Sequence, residues 1–518
     1  MLFQGSLLSL LIWVPIFGGA LVLAIGRNER HVNLTRLVAL IFSLITLGLC
    51  MPLLMAFNPN DWHMQCLESH VWIPQLDLAY SLGVDGISVL FIILTCFVNL
   101  IIILANWRSN KPKNNQCLAI FLISTGIMNG VFSATEAILF YFFWEASMIP
   151  MYLGMGIWGG KNRAQAAMKF FLITFLGSIF LLIAFLYLHS QANSFVISDF
   201  QNLNLSQAEQ DWIFLAFLAA FAVKIPMWPV HTWLPDAHSE SPTGGSVILA
   251  ALMLKMGAYG FLRFSLTITP GIHIAMIWFV IALGLMAIVY VGLASIAQKD
   301  LKQLVAYSSI SHMGIVILGI FMVFMILGQS HNQGHNFLES SASLQGAIFQ
   351  MIAHAFSSGA LFIGVGYMID RFHSRKIKDY QGLAHAMPIF AAFFMLFAMA
   401  NVGLPGTSGF VGEFLVLLAA FKANIWIALL ASMTLILAPA YTLWMYKRVL
   451  FGQAKSVAMS TPNDLDGLEI FIFILLAIPV IVFGIYPEAI LNLSHATTAH
   501  FIQQVMAKIP QGVYSGAY

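Results

Sequence analysis

The sequence predicts an all-α polytopic membrane protein of about fourteen transmembrane helices, with two inverted five-helix repeats that each contain a broken helix. Three observations carry the prediction. The chain of 518 residues is 60% hydrophobic and only 8% charged, whereas soluble domains carry about 25% charged residues. Apolar runs long enough to cross a ~30 Å hydrocarbon core recur along its whole length. Two of those runs are interrupted by prolines at corresponding places in two halves of the chain, beside ionisable residues.

The spans fall at roughly 3–25, 33–55, 85–107, 115–133, 136–157, 166–189, 212–231, 245–266, 272–297, 302–327, 342–369, 387–421, 425–447 and 468–487. The first run is too long for a signal-peptide core and has no basic flank, so it reads as a retained span. Residues 1–114 form an N-terminal group of three helices without interior charge, suited to packing and assembly. Residues 115–266 form the first five-helix repeat. Residues 272–450 form the second, and 451–518 supply a last helix and a tail. Loop 56–84 is polar and aromatic (Asp61, Trp62, His63, Trp72) and is expected to lie folded on one face. The run 212–231 meets Pro226 and Pro229, with Pro235 beyond, just after Lys224. The run 387–421 contains Asn401-Val-Gly-Leu-Pro-Gly-Thr-Ser-Gly409. Proline removes a helical hydrogen bond and clashes with the preceding turn, so both helices break. Five helices is an odd number, so the second repeat starts from the opposite side. The two breaks then form half-channels with opposite openings, the arrangement that marks an ion path in transporter repeats.

Charge placement orients the chain. Of 23 Lys and Arg residues, about 18 lie on one side, among them Arg27, Arg30, Arg108, Lys111, Lys113, Lys161, Arg163, Lys299, Lys302, Arg371, Arg375, Lys376, Lys378 and Lys455. Three lie on the other side (Arg263, Lys422, Lys508) and two in the interior. The basic side faces the cytoplasm, which places both termini outside. A net charge of +2 excludes the electrostatic footprint of nucleic-acid binding. Cys50, Cys66, Cys96 and Cys117 have no metal or redox spacing. Cys96 and Cys117 read as small packing residues, and a Cys50–Cys66 disulfide is not expected.

Of 21 carboxylates, only Glu145 and Glu413 lie deep in spans. Lys224, Lys255, His312 and His354 join them. Lys255, ten residues into its helix, sits about 15 Å deep. Ionisable groups there are expensive and mark ion pathways. Two acids, two bases and two imidazoles suit a proton relay. Burial brings lysine and glutamate toward neutrality, and histidine titrates between them. A Glu145–Lys224 pair would work as a switch, holding the lysine proton while closed and releasing it when open. The competing readings are plain. A Glu–Lys pair also serves as an interhelical staple, and an intramembrane histidine often only hydrogen-bonds a neighbouring helix. His231 and His238, flanking Pro235-Asp236, either line a water inlet or cap a loop. Glu136 reads as a solvated helix cap, Asp85 as an N-cap, and Asp300 as loop electrostatics beside Lys299 and Lys302. There is no glycine-rich nucleotide loop, CxxC, HExxH or nucleophile elbow, and nothing in the sequence is suited to haem, flavin or iron–sulfur clusters.

Phe142-Phe-Trp-Glu145, Phe221-Ala-Val-Lys-Ile-Pro226, Leu234-Pro-Asp-Ala-His-Ser239, Pro242-Thr-Gly-Gly-Ser246, Leu254-Lys-Met-Gly257, Lys299-Asp-Leu-Lys-Gln-Leu-Val-Ala-Tyr-Ser308 and Ser311-His-Met-Gly314 resemble the antiporter-like subunits of respiratory complex I and of Mrp-type sodium/proton antiporters. The resemblance spans the chain. Glu413, where the L and N paralogues carry lysine, points to the M type, as does the expectation of no lateral helix after span 14. The resemblance implies a proton-translocating membrane subunit of NADH-quinone oxidoreductase in a bacterial inner membrane. It would move protons from cytoplasm to periplasm and be driven by quinone reduction in other subunits. Glu145 and Lys224 would be the coupling pair, Lys255 the central relay and Glu413 the exit-side group, with His312 and His354 carrying protons between them. NADH, FMN, iron–sulfur clusters and quinone would belong to partner subunits, with no cofactor in this chain. The flanking antiporter-like subunits L and N would be its neighbours. An Mrp-type sodium/proton antiporter subunit is the alternative.

Overall fold

The computed structural model describes residues 5–26, 31–108, 113–328, 333–452 and 463–508. Arg27, Arg30, Lys111 and Lys455 lie outside the described residues. The described residues are mostly helical: α1 (Leu7–Ile25) and α2 (Val32–Ala56) precede a hairpin of β1 (Gln65–Ile73) and β2 (Leu78–Val84). Then follow α3 (Gly86–Ala105), α4 (Asn114–Ser133), α5 (Ala137–Trp158), α6 (Arg163–Ala192), α7 (Gln207–Lys224), α8 (Trp233–Glu240), α9 (Thr243–Ile268) and α10 (Ile274–Ile296). The rest comprises α11 (Leu301–Leu327), α12 (Gln333–Phe372), α13 (Pro388–Val402), α14 (Ser408–Ala423), α15 (Ile425–Leu450), α16 (Gly467–Ile485) and α17 (Glu488–Lys508), besides short one-turn helices.

Twelve helices of the described residues are long and apolar enough to cross a membrane. The two spans expected to be broken are not among them, because each is divided. α7 stops at Lys224 and the chain turns through Ile225–Thr232 before α8. The carbonyls this break frees are taken up locally: Ile225 N–H donates to Phe221, Met227 N–H to Ala222 (2.8 Å), and the Trp233 indole to Val223 (3.0 Å). The second break runs from Gly403 to Thr407 between α13 and α14. Gly403 and Gly406 both have positive φ (80° and 90°), which glycine adopts without a Cβ penalty.

The helices sort by enclosure. The most apolar windows of α9 and α12 are 100% buried and that of α11 is 94%, against 28% for α2 and α16. α3, α4, α9, α11 and α12 are therefore the inner helices. The outer helices present exposed apolar residues such as Ile41, Leu176, Tyr290 and Ile478, as lipid contact requires.

Loops gather on two faces. On the face poor in Lys and Arg, Gly271 N–H donates to Gln210 (2.7 Å), His273 N–H to Asp211 (2.8 Å) and the Gln201 amide to Thr267 (3.0 Å). The hairpin in loop 56–84 was not expected from the polar sequence. It is held by Glu68, whose carboxylate accepts from the amides of Leu8 (2.7 Å) and Ser9 (3.1 Å), unpaired donors at a helix N-terminus. On the basic face, Asn162 N–H donates to Glu240 (3.0 Å), Arg375 reaches Glu240 and Asp300 (each 3.3 Å), and Leu301 N–H donates to Arg375 (2.9 Å).

Three expectations are corrected. α17 follows span 14, where only a tail was expected; its His495, Thr497, Thr498, His500 and Gln503 hide a helix whose inner side packs on α3 and α12. Glu136 is buried rather than solvated, and its carboxylate accepts from Ala79 N–H (3.0 Å). Asp85 caps α3 as expected but also forms a buried ion pair with Arg263. All four cysteines are free thiols.

Candidate functional site

Lys255 sits on α9, immediately after a π-helical stretch, Leu249–Met253. Widened turns of this kind leave carbonyls open to side chains. The ammonium of Lys255 donates to the Ala250 carbonyl (2.5 Å) and lies 2.7 Å from His354 Nδ1. The His354 ring, on α12, is 5.6 Å from the His312 ring, on α11, centroid to centroid. His312 Nδ1 is 2.8 Å from Glu413 Oε1 on α14, and its Nε2 is 3.3 Å from the Tyr441 hydroxyl on α15. With Glu413 ionised, Nδ1–H donates to the carboxylate and Nε2 accepts from Tyr441. The Gln350 amide donates to the same Glu413 oxygen (3.0 Å). Four of the six residues read from the sequence thus form one chain across three of the inner helices and α14: Lys255, His354, His312, Glu413. All four are buried.

The second break positions Glu413. A Cβ on Gly403 would stand 3.0 Å from Glu413 Oε2, so the turn closes over that oxygen. The first break positions Lys224 in a similar way. α9 approaches it at Gly257, where a Cβ would meet Ile225 Cγ1 at 2.6 Å and Lys224 Cβ at 3.1 Å. Only glycine lets the helix bearing Lys255 lie this close to the end of α7.

The two remaining residues stand apart from the chain of four. Glu145 and Lys224 form no ion pair within 4.0 Å. Lys224 instead donates to Ser147 Oγ (3.3 Å) and lies 4.8 Å from the Trp144 ring centroid. Glu145 is half-buried, and its Oε1 has no hydrogen-bond partner. Among the described residues, His354 Nε2, Glu413 Oε2 and Gln350 Oε1 likewise lack one. Buried polar atoms left over by protein partners are where ordered water binds.

A cavity of about 220 Å³ opens on the basic face above α8, lined by Gln165, Lys169, Asp236, Glu240, Asp300 and Arg375. Behind it lies His238, fully buried, flat against the Phe362 ring (4.4 Å, 7°), with both ring nitrogens unpartnered. Lys302 donates to the Ser241 carbonyl beside it (2.6 Å). Of the two readings left open for His238, loop capping does not fit a ring with two free nitrogens. Burial holds the Asp300 carboxyl above the usual aspartate range, while Arg375 and the amides of Gln303 and Lys302 draw it back down.

Sequence reasoning missed Ser147, Gln350 and Tyr441. Gln350 had a signal, since it precedes His354 by four residues and so shares its helix face. Ser147 and Tyr441 had none beyond their presence in spans.

The comparisons with known proteins agree with this architecture. Residues 134–438 match the family described as NADH:quinone oxidoreductase/Mrp antiporter, TM. The chain is 44% identical to NADH-quinone oxidoreductase subunit M of Rhodobacter capsulatus, covering 97% of this chain and 98% of the relative. It is 39% identical to NADH-ubiquinone oxidoreductase chain 4 of Arabidopsis thaliana, covering 96% and 97%. Its fold resembles a chain of respiratory complex I from Thermus thermophilus with bound NADH, with TM-score 0.85, 28% identity and 96% and 99% of the two chains covered. It also resembles a chain of the Mrp complex from Dietzia sp. DQ12-45-1b, with TM-score 0.80 and 20% identity, over 96% of this chain and 55% of that one. With near-complete coverage of relatives named for one subunit, and an enclosed row of titratable side chains in the matched region, the chain belongs to the NADH-quinone oxidoreductase subunit M family.

Proposed function

We propose that this chain is a proton-translocating subunit of the membrane arm of an NADH-quinone oxidoreductase, with the redox cofactors in other subunits. The observation that carries the reading is the run Lys255–His354–His312–Glu413. Neighbouring members are within hydrogen-bond distance, apart from the two imidazoles, whose ring centroids are 5.6 Å apart, and the run crosses the enclosed centre of the molecule. Each member changes charge by one proton, so the run suits stepwise transfer without a redox group.

In this reading the chain crosses the membrane fourteen times, counting the two broken helices, and α4–α9 and α10–α15 are inverted repeats. The basic face is cytoplasmic. Protons arrive there through the cavity over α8 and His238, pass along the run and leave on the other face, with both termini periplasmic in a bacterial inner membrane. Lys224 resting on Ser147 rather than on Glu145 is the open form of the switch. Glu145 is half-exposed beside the exposed Phe142 and Ile149. A carboxylate facing lipid is costly, which favours a flanking subunit of the same arm against this side. L- and N-type antiporter-like subunits are the expected neighbours. An Mrp-type antiporter shares the fold, but relatives at 44% and 39% identity favour the oxidoreductase.

The test is Lys224→Ala in the assembled complex. NADH-driven proton pumping should collapse while NADH oxidation by the peripheral arm with an artificial acceptor persists. Full pumping by an assembled Lys224→Ala complex would refute the switch. Purification with NADH-oxidising subunits, as opposed to small antiporter partners, separates the two assemblies.

A further inference from the structure

A second buried cluster lies off the relay, towards the face poor in Lys and Arg. Lys255, Tyr259 and Arg263 follow one another at intervals of four along α9, so they share one side of the helix. Arg263 Nη2 is 2.6 Å from Asp85 Oδ2, and the two side chains are only 4% and 1% exposed. Arg263 also donates to the Tyr259 hydroxyl from Nε (3.2 Å) and Nη2 (3.1 Å), and Nη2 reaches Ser88 Oγ (3.3 Å). Tyr259 and Ser88 hydroxyls are 3.0 Å apart, and Tyr259 is within 3.2 Å of the Phe132 carbonyl. Asp85 Oδ1 is occupied by the amides of Ile87 and Ser88.

α17 covers the cluster. The guanidinium carbon of Arg263 lies 5.5 Å from the Phe501 ring centroid, and Thr497 Oγ1 accepts from Gly86 N–H (3.1 Å). A Cβ on Gly86 would stand 1.9 Å from the Leu493 carbonyl oxygen, so the cover is seated directly on the start of α3. Arg263 itself lies in a second π-helical stretch, Phe261–Ser265.

A buried ion pair is a weak source of stability, since desolvation offsets its attraction. A fixed guanidinium in a polar pore, by contrast, is an effective barrier to protons. The cluster combines an arginine that stays charged, an aspartate that anchors it, two hydroxyls beside it, one of them on Tyr259 a helical turn from Lys255, and an apolar cover. We propose that Asp85 and Arg263, with Tyr259 and Ser88 under α17, form a closed gate between Lys255 and the Lys/Arg-poor face, so that Arg263 is a positioning residue that keeps protons on Lys255 from draining outward. This rests on the relay reading above. It adds an element that the six ionisable relay residues do not contain.

The test uses membrane vesicles holding the assembled complex, in which an imposed pH gradient decays without NADH. Arg263→Gln is expected to speed that decay several-fold, and Arg263→Lys to restore it to near the wild-type rate. The added leak should vanish in Arg263→Gln combined with Lys255→Ala, because its route passes through Lys255; a merely structural lesion would leak regardless. Should Arg263→Gln fail to assemble, Phe501→Ala, which uncovers the guanidinium without removing it, is read in the same way. Wild-type decay in whichever of these variants assembles overturns the gate, and so does a leak that persists without Lys255. If instead Lys255→Ala alone pumps normally, the relay reading falls, whatever Arg263→Gln does.

Discussion

Glu413 shows how a single residue is placed by the backbone around it. Gly403 at φ 80° brings the main chain over one carboxylate oxygen, while His312 and Gln350 hold the other. Gly403→Ala puts a methyl group 3.0 Å from Oε2 in a region of φ that alanine adopts at a cost of about 1–2 kcal/mol. The expected outcome is an assembled complex whose proton-to-electron ratio falls while artificial-acceptor NADH oxidation stays normal. An unchanged ratio would show that the carboxylate tolerates displacement. At this scale the sequence was informative about the ionisable groups, because Lys255 or Glu413 inside an apolar run has few other uses. Its neutral partners were hidden. Ser147, Tyr441 and Gln350 carry no charge, and their types occur throughout spans as ordinary packing and capping residues.

Among the elements, the basic-face clasp joins the two halves. Arg375 touches Glu240 at the end of α8 and Asp300 at the start of α11, so it ties the first break to the second half of the chain. Asp300 has its proton affinity raised by burial and lowered by Arg375. A carboxyl whose folded pKa lies above its unfolded value of about 3.9 stabilises the fold fully below that value, and the contribution is lost as pH rises through the folded pKa. Arg375→Gln removes one of the lowering influences and raises the folded value further. The Leu301 and Ile377 amides, bonded across this loop, should then exchange faster than wild type, with the difference widening as pH rises from mildly acidic to neutral. Equal exchange in both proteins across that range would contradict the clasp. The broken helices were legible because proline and glycine act locally. The hairpin and α17 were not. β1 is largely exposed and is held by a distant contact from Glu68 to α1, β2 is short, and α17 buries only one side.

For the molecule as a whole, the asymmetry of charge gives an orientation that can be measured. His70 on the hairpin and Lys378 beyond α12 are both exposed, on opposite faces. In a background with Cys66 replaced by serine, His70→Cys should react with an impermeant maleimide added outside intact cells. Lys378→Cys should react only in inverted vesicles. The reverse pattern would invert the direction assigned to pumping. Much of this scale was legible, because composition and the spacing of apolar runs report on solvent directly. The depth ordering of the helices was not. α3 and α16 are both strongly apolar, yet 83% of the most apolar stretch of α3 is buried against 28% of that of α16, and only the packed structure separates core from rim.

The widened turns on either side of Lys255 have a mechanical consequence. A helix pinned at both ends cannot normally rotate one residue in its middle, but α9 carries a spare carbonyl's worth of slack at Leu249–Met253 and again at Phe261–Ser265. If a bulge migrates past Lys255, the ammonium swings around the helix axis by roughly a quarter of a turn while neither terminus shifts. The moving part of this machine would then be a defect travelling through a fixed rod.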